Sequence, residues 1–452
     1  MPVPVTRELA KFIVNTNFDS FNEETVRVGK ELIFEGLGAM IRGAREQVCQ
    51  IAIRHVKNIG GHAEVGILGG GFRTSITNAS LVNGISAHSA EQEAVGKFGG
   101  SCTFSTIPAA FCVAEKFGLS GKALLEGFVI GQEVQGRIGM GCRGGSNRGW
   151  SSIYYPLGAA ATASKMMGLT VDQTRMALGV AANFPGGCWR LCGTMMHFGE
   201  TGFACELGVR SALLVKEGVT ADPDMIEGEN GFAYWVGEAN LDIITKDLGN
   251  PFYIINPGSA VKKYGCCYAM HRALDALMQI ITENDIHYDQ VAGVEAVIPK
   301  FVTRLIRYPE PENAEQAKFS LEHALGVGIS DREVTLDAFT EAGVADPRHK
   351  EARRKVKVTV IEQEGGRALV GAAIPVTVKL KDGRSFTKEC QVLKGGPESR
   401  LTRQELVDRF GGHVKGVLTP RAAERVVELS FKLEKLPNVL ELTNLATFGY
   451  AE

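Results

Sequence analysis

Up to about residue 285, apolar positions recur three and four apart, the period of helices that bury one face. Ser20-Phe-Asn-Glu23 reads as a capping box ahead of a stripe at Ile33, Leu37, Met40 and Ile41. Ser120 opens a second helix, with Leu124, Leu125, Phe128 and Val129 facing inward and Glu133 and Arg137 as an i,i+4 pair. Thr170-Val-Asp-Gln173 is another capping box, leading into Met176, Ala177, Leu178 and Val180. The alanine-rich run 157–168 suits helices that pack closely, and no sustained heptad points to a coiled coil.

Past 285 the period shortens to two. Residues 291–299, 355–361 and 374–380 read as strands, and Asp382-Gly383 turns the last of these into 386–392. Helical patterns over 314–328 and 336–345 lie between them, giving an α+β module whose sheet is polar on one side and covered on the other. After Lys394-Gly-Gly-Pro the helical period returns, with a capping box at Thr402-Arg-Gln-Glu405 and an N-cap at Thr419-Pro420. The chain therefore reads as mainly α with an inserted α+β domain. Residues 1–265 and 400–452 form a large all-helical domain, and 266–399 form the smaller α+β domain.

A length of 452 residues agrees with two domains. With 44% hydrophobic and 22% charged residues the composition is that of a globular protein. A net charge of −2 argues against nucleic acid as the main partner, which would need a basic surface. No signal peptide pattern and no apolar run of membrane-spanning length is present, so a cytoplasmic location with no membrane partner is the expectation. The ten cysteines form no C-x-x-C pair and no zinc-finger spacing, so neither structural zinc nor an iron–sulfur cluster is expected, and no metal site is assigned.

Three stretches could carry chemistry. The first, Asn83-Gly-Ile-Ser-Ala-His88-Ser-Ala-Glu91-Gln-Glu93 through Lys97, concentrates ionisable groups in a small-residue, apolar region. On a helix Glu93 and Lys97 would share a face. The stretch reads either as a site lip with two carboxylates and one amine or as a solvated helix end. The second stretch sets His197-Phe-Gly199 at a helix start. The third packs Lys262, Lys263, Tyr264, Cys266, Cys267, Tyr268 and His271 into ten residues. Lysine, tyrosine and histidine can remove or return a proton beside a carboxylate. For each histidine the competing reading is a hydrogen-bonded core residue. The loop from Cys142 to Gly149 could bring Arg143 or Arg148 to a carboxylate bidentately, with Tyr154 close behind, or it could be a plain turn.

Taken together, Asn83-Gly84 with Ala87-His88, His197-Phe-Gly199, Lys262-Lys-Tyr264 with Cys267 and His271, and Ala317-Lys-Phe-Ser320 resemble the MmgE/PrpD family over nearly the whole chain. The resemblance implies an all-helical domain from both chain ends, an α+β lid, a homodimer, and cofactor-free chemistry on small di- or tricarboxylates. In it Lys262 lines up with the family's active-site lysine. The departures are as informative. The family's Asp-Phe-Asp-Asp run is here Glu91-Gln92-Glu93-Ala94, and its following His-Pro-Ser is Ser101-Cys102-Thr103. A family histidine is Lys97, a lysine is Thr194, and the Trp-His pair is Trp150-Ser151.

The expected function is a lyase of the dehydratase or decarboxylase type acting on a small polycarboxylate. The alternatives are an epimerase or isomerase of a dicarboxylate and a catalytically silent carboxylate-binding scaffold. Catalytic roles fall to Lys262, Glu91, Glu93, Lys97, Tyr264 and His271, with Tyr264 bonding a developing oxyanion. Substrate contacts fall to His88, His197, Arg143, Tyr154 and Lys263.

Overall fold

The computed structural model describes residues 3–96, 102–142, 151–184, 186–237, 239–362 and 373–449, side chains of 151 and 152 excepted. In chain order the elements that frame the site are helices α1 (Glu23–Gly43) and α2 (Ile76–Ser89), strand β1 (Ala94–Gly96), helices α3 (Gly121–Gly141) and α4 (Met195–Lys216), and strand β2 (Ser259–Val261). Helix α5 (His271–Glu283), strand β3 (Val291–Pro299), helix α6 (Leu321–Asp331), strands β4 (Val356–Ile361), β5 (Val376–Leu380) and β6 (Ser385–Lys388), and helix α7 (Arg403–Val414) follow. The chain divides into two compact units. One comprises Met1–Cys188, Phe198–Val261 and Leu401–Glu452; the other comprises Trp189–His197 and Lys262–Arg400.

The first unit is helical. Helix α1 buries Leu32, Ile33, Phe34, Leu37, Met40 and Ile41, and Phe34 meets Phe410 at 4.7 Å and Phe431 at 5.1 Å between ring centres. The C-terminal helices thus share a core with the N-terminal ones. The cap of α1 is Asn22, whose side chain accepts from the Thr25 amide at 2.8 Å. Ser20, the cap expected from sequence, instead closes a short turn over Phe18–Ser20, and the chain runs extended through Phe21 before the helix begins. The caps at Ser120, Thr170, Thr402 and Thr419 lie where the sequence predicts them.

Two glycine contacts set how α2 is held. A Cβ on Gly43 of α1 would lie 1.9 Å from the Ser86 carbonyl oxygen of α2. A Cβ on Gly202 of α4 would lie 2.3 Å from the Leu81 carbonyl oxygen and 2.4 Å from Ile85 Cγ1. Thr201 Oγ1 donates to the Gly84 carbonyl at 2.9 Å across the same crossing. Both neighbours therefore touch α2 through backbone, and small residues are required by contact distance rather than by conformation.

The second unit holds a four-stranded mixed sheet in the order β4-β3-β5-β6, with β3 parallel to β4 and antiparallel to β5. Val376, Val378 and Leu380 turn one face of β5 inward, and α5 supplies Ala273, Leu274, Leu277, Ile280 and Ile281 to the core. Three expectations need correction. The pattern over 314–328 is two helices, Ala314–Ala317 and α6, because Ser320 caps a fresh start by accepting from the His323 amide. The pattern over 336–345 breaks at Thr340, which caps Glu341–Ala345. Strand β6 stops at Lys388, short of 392; beyond it the Cys390 and Gln391 carbonyls accept from the Arg272 guanidinium instead of a ladder. No described helix is long and apolar enough to cross a membrane.

The α2–α4 crossing gives a direct test. Gly202→Ala should destabilise the protein by roughly 1–3 kcal/mol, the usual cost of overpacking a close contact. Urea denaturation checks this, and an unchanged midpoint would show that the helices separate at little cost.

Candidate active site

Helix α2 ends at Ser89, and the Glu91 amide bonds the His88 carbonyl at 2.8 Å as the chain turns. Glu91 sits at φ +52°, in the left-handed region that a residue with a side chain seldom occupies. That reversal stops the helix, so Glu93 lies outside it and leads into β1. Lys97 lies outside the described residues, as do Arg143 and Arg148.

The segment is not a solvated helix end either. Glu91 and Glu93 are 2% and 3% exposed. His88 Nε2 lies 3.1 Å from Glu91 Oε1 and 3.6 Å from Glu93 Oε1. The His88 ring stacks on Phe104 at 4.4 Å and meets the edge of Phe198 at 5.2 Å, and Phe104 is in turn braced edge-on by Tyr155. One imidazole flanked by aromatic rings thus faces two carboxylates with little water around them. Such a set can pass a proton between nitrogen and oxygen, the elementary act of acid–base catalysis.

Strand β1 pairs antiparallel with β2, with Ala94 opposite Val261. In the chain Glu93 immediately precedes β1 and Lys262 immediately follows β2. Lys262 is buried. Within the second unit, Lys263 Nζ and Tyr264 Oη each donate to Asp275 Oδ1 at 2.7 Å. Burial, reinforced by the Asp275 carboxylate, pushes the Tyr264 phenol far above its ordinary range. Its proton is committed to Asp275, so the expected oxyanion contact is not the role this geometry offers. His271, at the start of α5, lies edge-on to Tyr264 at 5.2 Å and 3.3 Å by Nε2 from the Cys266 carbonyl. Tyr268, against the same ring at 4.9 Å, is pushed up to about 12 chiefly by burial.

His197 also belongs with the second unit. Its ring meets the edge of Phe319 at 5.1 Å and its Nδ1 lies 3.8 Å from Cys192 Sγ. The Lys318 carbonyl accepts from the Cys267 amide at 2.9 Å. Two stretches far apart in sequence, 192–197 and 266–267, are thereby fixed to the same segment around Lys318 and Phe319. Tyr154 occupies the helical core, where its hydroxyl donates to the Cys142 carbonyl and its ring meets Phe232. Burial raises its phenol above the ordinary range, and the geometry gives it a packing role rather than a substrate contact.

Sequence reasoning missed Asp275, Gln92 and Lys318. Asp275 carried a local signal: it is an acidic residue four after His271, amid the buried positions Ala273, Leu274, Ala276 and Leu277. Gln92 is treated below. Among the described residues, His88 and Glu91 of the first unit and His197 of the second each carry an atom able to ligate an ion. Nine of the cysteines are buried and Cys188 is exposed; burial lifts Cys112 and Cys142 to about 12, which leaves them as inert packing groups.

Comparison with known proteins supplies independent findings. The MmgE/PrpD N-terminal domain matches residues 7–242, and the MmgE/PrpD C-terminal domain matches residues 264–434. Cis-aconitate decarboxylase from Homo sapiens is 22% identical over 457 residues, covering 98% of this chain and 94% of its own. The Mus musculus protein of the same name is 23% identical over 459 residues, covering 98% and 93%. A cis-aconitate decarboxylase-like protein of Aspergillus oryzae is 24% identical over 471 residues, covering 98% and 97%.

The Tyr264–Asp275 contact is testable by itself. Asp275→Ala and Tyr264→Phe should each destabilise, while the double variant loses less than their sum. A coupling of about 1.5–3 kcal/mol is the expected size for a hydrogen bond to a charged group. Strict additivity in urea melts would show that the bond contributes nothing to folding.

Proposed function

The chain belongs to the MmgE/PrpD family, and from that premise we propose that it is a lyase which removes a proton next to a carboxylate of a small di- or tricarboxylate. The observation that carries the reading is the buried trio of His88, Glu91 and Glu93. A carboxylate out of water is a stronger base toward a carbon acid than a hydrated one, and an imidazole in contact with it can take the proton onward. Glu93 is assigned as the base, with Glu91 and His88 as the proton's next stations. Lys262 offsets the charge that develops on the substrate carboxylate as the proton leaves, a preorganised cation where negative charge accumulates. His271 and His197 are assigned to substrate carboxylates. Lys263 and Tyr264, bound to Asp275, hold the loop that carries Lys262. The names of the relatives, decarboxylases of a tricarboxylate, support the substrate class. No cofactor is assigned to the reaction, and a homodimer is the proposed assembly.

Proton removal is measured by incubating the protein with a panel of di- and tricarboxylates in deuterated water and reading solvent exchange, elimination or decarboxylation by proton NMR. Lys262→Ala should lower turnover by roughly 10²–10³-fold with little effect on stability, the range for losing one preorganised charge contact. Lys263→Ala should remain much closer to the parent in rate. The reverse order would move the assignment by one residue, and parental rates in both would remove the second unit's lysines from the chemistry. Chelators should leave the rate unchanged; loss of turnover restored by one added metal would overturn the metal-free reading.

Cis-aconitate and 2-methylcitrate should be poor substrates. The departures at Glu91, Lys97, Thr194 and Ser151 exchange the chemistry at four positions of the family pattern. A contact with a charged group contributes about 1.5–3 kcal/mol, so one misplaced contact costs roughly one to two decades of affinity. Turnover of either compound at rates usual for enzymes, about 1–10³ per second, would show these replacements to be neutral.

A further inference from the structure

Gln92 stands between the two carboxylates of the trio and is itself 2% exposed. Its side chain is held from α7, more than three hundred residues along the chain. Gln92 Oε1 accepts from Arg409 Nη2 and, at 3.1 Å, from His413 Nε2. Its Nε2 lies 3.5 Å from the Glu91 carbonyl oxygen, which orients the amide with oxygen toward α7 and nitrogen toward the turn. Arg409 is fixed in its turn by Glu35 of α1, Nε to Oε2 at 2.8 Å. His413 is packed where Gly38 of α1 lacks a side chain, since a Cβ there would lie 3.0 Å from its Nδ1 and 3.1 Å from Phe410 Cδ2.

This arrangement has features that packing alone does not require. Glu91 is held at a positive φ, and the side-chain amide of the next residue reaches the carbonyl of that same residue. A turn of this kind persists only when its surroundings over-determine it. Burial and the nearby Arg409 and Arg42 charges keep His413 well below its ordinary range, so its ring is neutral and has one N–H to give. Burial raises Glu35 despite its Arg409 partner, which marks the pocket as poorly solvated.

We infer that Gln92 is a positioning residue: anchored by Arg409 and His413, it locks the turn at Glu91 and so sets the aim of both Glu91 and Glu93 at the substrate. The inference rests on the reading of these carboxylates as the acid–base pair, and it assigns a role in the chemistry to α7, which supplies none of the trio.

The test uses the full chain with Gln92→Met, which keeps length and removes both hydrogen-bonding ends, and Arg409→Lys, which keeps the charge against Glu35 and loses the planar fork. Amide hydrogen exchange read by mass spectrometry over residues 88–96 is the first measurement. Exchange there should speed up at least about tenfold in both variants, with α3 peptides and the melting temperature near parental. On the fastest substrate of the deuterium screen, kcat should fall about tenfold or more with KM within about twofold, as misaimed catalytic groups lose rate before binding. Gln92→Glu, which keeps the oxygen that accepts from Arg409 and His413 but loses the N–H toward the Glu91 carbonyl, should lose rate and speed exchange over 88–96 as Gln92→Met does. If Gln92→Met does not fold, Arg409→Lys and Gln92→Glu carry the test. Parental exchange over 88–96, or faster exchange spread over the whole protein, would overturn the inference. Glu93→Gln separates it from the underlying reading: parental turnover there defeats the acid–base assignment while leaving the exchange result standing, whereas a dead Glu93→Gln beside a parental Gln92→Met defeats only the positioning role.

Discussion

Taking a carboxylate out of water costs several kcal/mol per ion unless other charges or dipoles replace the lost hydration. The segment after α2 does this twice in three residues. His88 answers both carboxylates from one ring nitrogen, and the ring is held by Phe104 and Phe198. For that to work α2 must be rigid at its C-terminal end. Backbone contact with α1 at Gly43 and with α4 at Gly202 provides the rigidity, and the turn at Glu91 supplies the direction. Much of the first unit's local detail follows from this requirement: glycines where helices cross, aromatic rings around an imidazole, and a glutamine tied to a distant helix.

The regular parts of the fold were legible because each has a local cause. Alternation over 291–299 marks β3, and threonines at 170 and 402 followed by glutamine or glutamate three residues on mark true capping boxes. Where two local signals competed, the structure chose the one next to the break: Asn22 over Ser20, and a new cap at Ser320 in place of one continuous helix. Of the proposed site, the ionisable residues were legible in the sequence and their geometry was not. His88, Glu91, Glu93, Lys262 and His271 stood out as ionisable groups in small-residue surroundings, and all are buried. Their local shape was not foreseen, because the positive φ at Glu91 is enforced by tertiary contacts and not by a glycine. Gln92 stood out only as a departure from the family pattern, and its anchoring gave no signal, since Arg409 and His413 stand over 300 positions away. Tyr154 was chosen for its neighbours in sequence, and its hydroxyl turned out to serve the Cys142 carbonyl in the core.

Both family domains match along the chain, while identity to the named decarboxylases stays at 22–24%. That combination fits a retained family scaffold on a widely diverged sequence. Glutamate where the family pattern has aspartate carries its carboxylate one methylene further, and that shift has to be taken up somewhere. In this chain Glu91 sits at a positive φ and the side chain of Gln92 is held from α7.

The central claim is that the buried trio faces a substrate carboxylate group and its neighbouring carbon. A crystal structure with tricarballylate, a tricarboxylate without a leaving group, measures this most directly. The account requires the ligand to be ordered with a methylene carbon within contact of Glu93 and a carboxylate on Lys262. A ligand ordered elsewhere, with His88, Glu91 and Glu93 still closed on one another, would contradict it.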